Sequence, residues 1–137
     1  FLSNFTIGRT DLVRSYGLSR KNVNSTEMLT HCTDIFNSIS EKKHLTKCVG
    51  GSISGDAKFF INTLTECGLH RYETRKVIFE INDDLSFDDN LKVAMEFEYL
   101  WLKNKKVYYG RIHNEDNKRM LMIEKRLKSD DGLLKAW

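Results

Sequence analysis

A chain of 137 residues is long enough to bury one core, and its 40% hydrophobic content excludes a disordered polymer. The formal net charge of +3, from 22 cations and 19 anions scattered along the chain, argues against a dedicated nucleic-acid binder, whose basic residues cluster. No run of about 18 apolar residues exists, so no membrane span is expected, and no basic-then-apolar opening suggests a signal peptide.

In chain order, Thr10 to Gly17 reads as a short helix. Thr10 can cap its start, and Gly17 can take the left-handed conformation that ends it. A polar loop follows from Ser19 to Asn22. Asn24 and Glu27 form a capping-box pattern, and Met28, Cys32, Ile35, Phe36 and Ile39 recur behind it at helical spacing. His31 and Asp34 lie off that stripe. The segment His44 to Ser54 is glycine-rich and partly β-prone. Gly50-Gly51-Ser52 with Gly55-Asp56 invites a phosphate-loop reading. The Gly-Lys-Ser/Thr ending of such a loop is missing, so the segment reads as a turn into a helix. Ala57, Phe60, Ile61 and Leu64 mark that third helix, and Gly68 stops it.

From residue 75 onward the pattern changes. Val77, Phe79 and Ile81 read as a strand closed by Asn82-Asp83-Asp84. Val93, Met95, Phe97, Tyr99 and Trp101 then sit at every second position, which predicts a strand over 92–102. A helix is the rival there, because Ser86 and Asp89 could form a capping box and Leu, Lys, Met and Glu favour helices. Lys103-Asn104-Lys105 reads as a hairpin into Val107–His113, and Asn114 to Asn117 as a second turn into a strand over 119–128. Asp130-Asp131-Gly132 would turn the chain into a last segment ending at Trp137. The expected fold is therefore α+β, a single domain over 1–137. Three N-terminal helices (1–70) pack on a curved antiparallel β-meander of four to five strands (75–137).

That order of parts resembles the nuclear transport factor 2-like superfamily, the cone fold shared with ketosteroid isomerase. Gly55-Asp56-Ala57-Lys58-Phe59-Phe60-Ile61 looks like its helix opening. Val93–Leu102 and Val107–His113 look like its core hairpin, and Asp131-Gly132-Leu133-Leu134 like its last turn. The resemblance implies a sheet curled around a pocket and often dimerised through its outer face. It does not imply a reaction.

Cys32, Cys48 and Cys67 contain no C-x-x-C pair, so buried free thiols are expected; one disulfide stays open if the protein is secreted. Asn4-Phe5-Thr6 and Asn24-Ser25-Thr26 are glycosylation sequons that keep secretion open beside an intracellular setting. Neither a metal site nor a cofactor is expected, since His31, His44, His70 and His113 have no ligand spacing. The aspartates fall in turns, where a buried base is not tuned.

Function therefore rests on the sheet. The register holding Leu100, Leu102, Tyr108 and Ile112 is too apolar for water, which points to a non-catalytic domain that dimerises or docks a protein partner through that face. The alternative is a small-molecule pocket of isomerase or dehydratase type, taking an apolar ligand. Tyr99, Tyr109 and His113 would act there, with Trp101 and Arg111 beside them. RNA binding by the basic segment Arg119–Lys128 is the third reading.

Overall fold

The structure is a computed structural model, and it describes residues 3–81 and 86–129. The elements are β1 (Asn4–Gly8), α1 (Arg9–Ser15), α2 (Thr26–Ser38), β2 (Thr46–Gly50), α3 (Lys58–Glu66), β3 (Arg71–Glu73), β4 (Ile78–Glu80) and α4 (Phe87–Ser129). Single 3-10 turns at Arg20–Asn24 and Gly55–Ala57 lead into α2 and α3. The chain divides into two units, one ending at Glu98 and the other beginning at Tyr99.

In the first unit a four-stranded sheet runs in the order β1-β2-β3-β4. β1, β2 and β3 are mutually parallel, and β4 returns antiparallel beside β3. Parallel neighbours need crossover connections, supplied here by α1 with α2 and by α3. In register, Ile7, Val49 and Tyr72 lie side by side on one face. They join one core with Val13, Met28, Cys32 and Phe36 of the first crossover and Phe60, Ile61 and Leu64 of the second. Both crossovers therefore cover the same face, as right-handed connections do when the strand order advances in one direction. Each buried large apolar side chain in that core contributes roughly 1.5–3 kcal/mol.

The opposite face carries Thr6, Cys48, Arg71 and Glu80 in one row across the strands, and Gly8, Gly50, Glu73 and Ile78 in the next. Its side chains are small or polar apart from the exposed Ile78. Arg71 pairs with Glu80 at 2.7 Å across the β3–β4 hairpin.

The three helices expected in the first seventy residues are present, but Gly8, not Thr10, precedes α1, and α2 ends at Ser38. α1 ends before Gly17, which has φ +71°. Ser25, one residue past the expected cap, accepts the Met28 amide at 3.3 Å and opens α2. Gly68, φ +83°, follows α3. Lys47 ties the helix ends to the sheet. Its Nζ donates to the carbonyls of Phe36 (3.2 Å) and Cys67 (3.4 Å), so one cation serves the C-terminal ends of two helices. The three cysteines are free thiols, two of them buried.

The antiparallel meander is overturned. Residues 87–129 form one helix, so the strands expected over 92–102, 107–113 and 119–128 do not exist. With them goes the cone of three helices on a curved sheet. Ser86 caps the helix: its Oγ accepts the Asp89 amide at 3.2 Å and donates to Asp89 Oδ2 at 2.7 Å. The buried or half-buried positions behind it are Phe87, Asn90, Leu91, Ala94 and Glu98, a 3.6-residue stripe. The alternating Val93, Met95, Phe97 and Tyr99 all lie on exposed faces. Alternation misled because these faces are apolar too, so period two appeared where the buried stripe has period 3.6. The expected turn at Lys103-Asn104-Lys105 lies within the helix. Lys105 sits over Trp101 (5.1 Å) and Tyr109 (5.5 Å), each four residues away. The expected turn at 114–117 is helical as well, with Asn117 Nδ2 3.1 Å from His113 Nε2. The strand around Phe79 is real but shorter, and it pairs with residues before it. Asp131-Gly132-Leu133-Leu134 and Trp137 lie outside the described residues.

Candidate functional site

Three parallel strands end along one edge of the sheet. β1 runs into Arg9, β2 into Gly51-Ser52, and β3 into Thr74-Arg75. Arg9 is fully buried, with its guanidinium 4.7 Å from the Phe60 ring. Among the described residues no carboxylate meets it. Carbonyls do instead: Nη2 donates to Gly51 O (2.7 Å) and Ser52 O (3.1 Å), Nε to Gly50 O (3.4 Å), and Nη1 to Asn24 Oδ1 (2.6 Å). Burial pulls its pKa down to about 10, partly opposed by the neighbouring Cys32. It remains a cation at neutral pH, held at the root of the Gly50–Ser52 loop.

That loop is tightly built. Gly51 has φ +86° and Ser52 φ 52°, the left-handed region that a serine adopts only under constraint. A Cβ on Gly51 would meet the Thr10 hydroxyl and lie 2.9 Å from the Thr10 amide. A Cβ on Gly50 would collide with Cγ and Oε1 of Glu73, so the glycine lets the Glu73 side chain lie across the neighbouring strand.

Beside this edge lies a cavity of about 560 Å³. Gly51, Ser52 and Ile53 line it from the β2 loop, and Glu73, Thr74 and Arg75 from the β3 end. Arg20 lines it from the first crossover, and Leu91, Ala94, Met95 and Glu98 from α4. Arg20 Nε donates to Ser52 Oγ at 3.1 Å, and Arg75 pairs with Glu98 at 3.5 Å. Among the described residues neither Arg20 nor Glu73 makes an ion pair. The cavity thus presents one unpaired cation and one unpaired carboxylate.

The residues singled out in the sequence lie elsewhere. Tyr99, Trp101, Tyr109, Arg111 and His113 are all on α4, spread over four turns of one exposed helix rather than gathered around a pocket. Leu100, Leu102, Tyr108 and Ile112 are on the same helix, with Leu100 60% and Tyr108 51% exposed. No sheet face carries them. Arg9, Arg20, Glu73 and Arg75 carried no local signal as site residues, because a parallel sheet brings together residues sixty positions apart. The one local signal was Gly50-Gly51-Ser52. Among the described residues no group of His, Cys, Asp or Glu side chains has the arrangement of a metal site. No described helix is long and apolar enough to cross a membrane.

Fold and edge together define an α/β protein whose parallel strands deliver polar side chains to a crevice at their carboxyl ends. No protein-family model, curated protein or solved structure matches the chain.

Proposed function

We propose that this protein binds a small polar molecule in the crevice at the carboxyl ends of β2 and β3. The observation that carries the reading is the cavity of about 560 Å³ holding an unpaired Arg20 and an unpaired Glu73. The cavity lies outside the carboxyl ends of β2 and β3, and its volume is that of a small-molecule site. Two unpaired groups of opposite sign suit a ligand with an anionic end and a hydroxyl or amine for Glu73.

A screen of polar metabolites against ¹⁵N-labelled protein tests this. A binder should move the amide signals of Gly51–Ile53 and Glu73–Arg75. Binders whose shifts fall only within 99–129, or no binders at all, would reject the crevice.

A second reading keeps protein association, moved from a sheet face to a helix. Leu100, Leu102 and Tyr108 are exposed on α4, and exposed apolar surface of this kind favours a protein partner or a second copy of the chain.

A further inference from the structure

We infer that the loop Ser52–Ile53, together with Arg20, forms a cradle for an oxyanion: a phosphoryl or carboxylate group of the ligand. The inference rests on the crevice reading and names the chemical class of its ligand.

Arg9 sets the orientation of the loop's peptide units. Its guanidinium takes the carbonyl oxygens of Gly51 and Ser52 at 2.7 and 3.1 Å. Every described peptide bond is trans, and in a planar trans peptide the N–H points opposite to the C=O of the same unit. With the Gly51 carbonyl turned to Arg9, the Ser52 N–H faces the other way. With the Ser52 carbonyl turned to Arg9, the Ile53 N–H does too. Neither amide donates to any acceptor among the described residues. Ser52 and Ile53 line the cavity, so two successive unsatisfied N–H groups stand beside it.

Successive backbone N–H groups in a turn make an anion-binding concavity. Gly51 and Ser52, φ +86° and 52°, form the turn here. Arg20 supplies the mobile charge. Its Nε holds the Ser52 hydroxyl at 3.1 Å, which brings the guanidinium to the loop and leaves both terminal nitrogens for a ligand oxygen. Arg9 adds a second, buried positive charge directly behind the loop. It has no carboxylate to cancel it, and low-dielectric surroundings leave its field weakly screened. The loop is thus organised before any ligand arrives, and a buried unpaired arginine gains a purpose that packing alone does not supply. Glu73 bounds the same cavity. Its charge keeps the anionic group at the Ser52 end and leaves the uncharged part of the ligand facing the carboxylate.

The test uses inorganic phosphate and malonate as probes, titrated into ¹⁵N-labelled protein at constant ionic strength. Both should shift the Ser52 and Ile53 amide protons saturably downfield. Their order of affinity tells a phosphoryl cradle from a carboxylate one. Arg20→Met should weaken binding about tenfold, the loss of one charge-assisted contact. Arg14→Met, an exposed cation elsewhere on the surface, should leave it unchanged. Arg20 is exposed, so its variant is expected to fold, and the spectrum itself verifies that. The cradle is refuted if neither anion moves residues 52 and 53, or if Arg20→Met binds as the parent does. If the anions fail while a neutral metabolite still shifts Glu73–Arg75, the crevice stands and the cradle alone falls. If nothing shifts either segment, both are rejected.

Discussion

Arg9 brings a full charge into the core without a carboxylate to meet it, and this one residue organises the edge of the sheet. Its replacement by methionine would keep the volume and remove the charge. It would also leave the buried carbonyl of Gly50 and the half-buried carbonyls of Gly51 and Ser52 without this donor. We expect Arg9→Met to lose about 2–4 kcal/mol in chemical denaturation, because buried acceptors without donors are costly. Intact stability would show that the carbonyls find water instead. Cys32 gives a pH signature. Burial pushes its thiol from 9.0 up to about 11, opposed in part by Arg9. A pKa raised on folding means its contribution is whole below pH 9 and is lost as pH rises through 11. Arg9, lowered to about 10, acts the other way, since its burial cost is relieved only above about pH 10. Between pH 9 and 10 Cys32 acts together with Cys48, whose thiol burial also pushes up, so urea midpoints should fall there, and less steeply in Cys32→Ala. A flat profile over that interval would contradict the burial of this thiol.

At the scale of the element, α4 is held by its N-terminal cap and its first turns. Asn90 donates to the Tyr72 hydroxyl at 2.9 Å, and Phe87 packs against the Tyr72 ring. Ser86 closes the capping box. Ser86→Ala should cost about 1 kcal/mol, the usual value of an N-cap, measured as a lowered thermal midpoint. Gly110 lies inside the same helix, and a Cβ there meets nothing within 4 Å. Gly110→Ala should therefore raise helicity by circular dichroism and stabilise the helix by roughly 1 kcal/mol. A loss of helical signal would mean that 107–113 is not helical. The helix was legible in Ser86 and Asp89, and in the helix-forming run behind them. It was masked because the apolar residues at 93, 95, 97 and 99 are exposed, outside the buried stripe, and their alternation imitates a strand.

At the scale of the whole molecule, α4 leaves Leu100, Leu102 and Tyr108 exposed. If a second copy covers them, sedimentation at micromolar concentration should give twice the chain mass. Leu100→Glu with Tyr108→Glu should return it to the monomer while the fold persists. A monomer in both cases rejects self-association. The face of the sheet opposite the helices is a different surface, with its polar row of Thr6, Cys48, Arg71 and Glu80.

The sequence by itself determined α2 and α3 and the glycines that end α1 and α3. Those features depend on residues three or four positions apart, and local spacing records them. Residues such as Met28, Cys32 and Phe36, or Phe60, Ile61 and Leu64, announce their buried stripe without reference to any partner. Only the tertiary structure decided the parallel sheet and the crevice at its edge. β1 and β2 are five residues each, and Lys47 interrupts the apolar pattern of β2. Pairing of Asn4–Gly8 with Thr46–Gly50 is a contact across forty residues, and no local period encodes it. Arg9, Arg20, Ser52 and Glu73 become neighbours only when those strands align, because a parallel ladder places strand ends, not sequence neighbours, side by side.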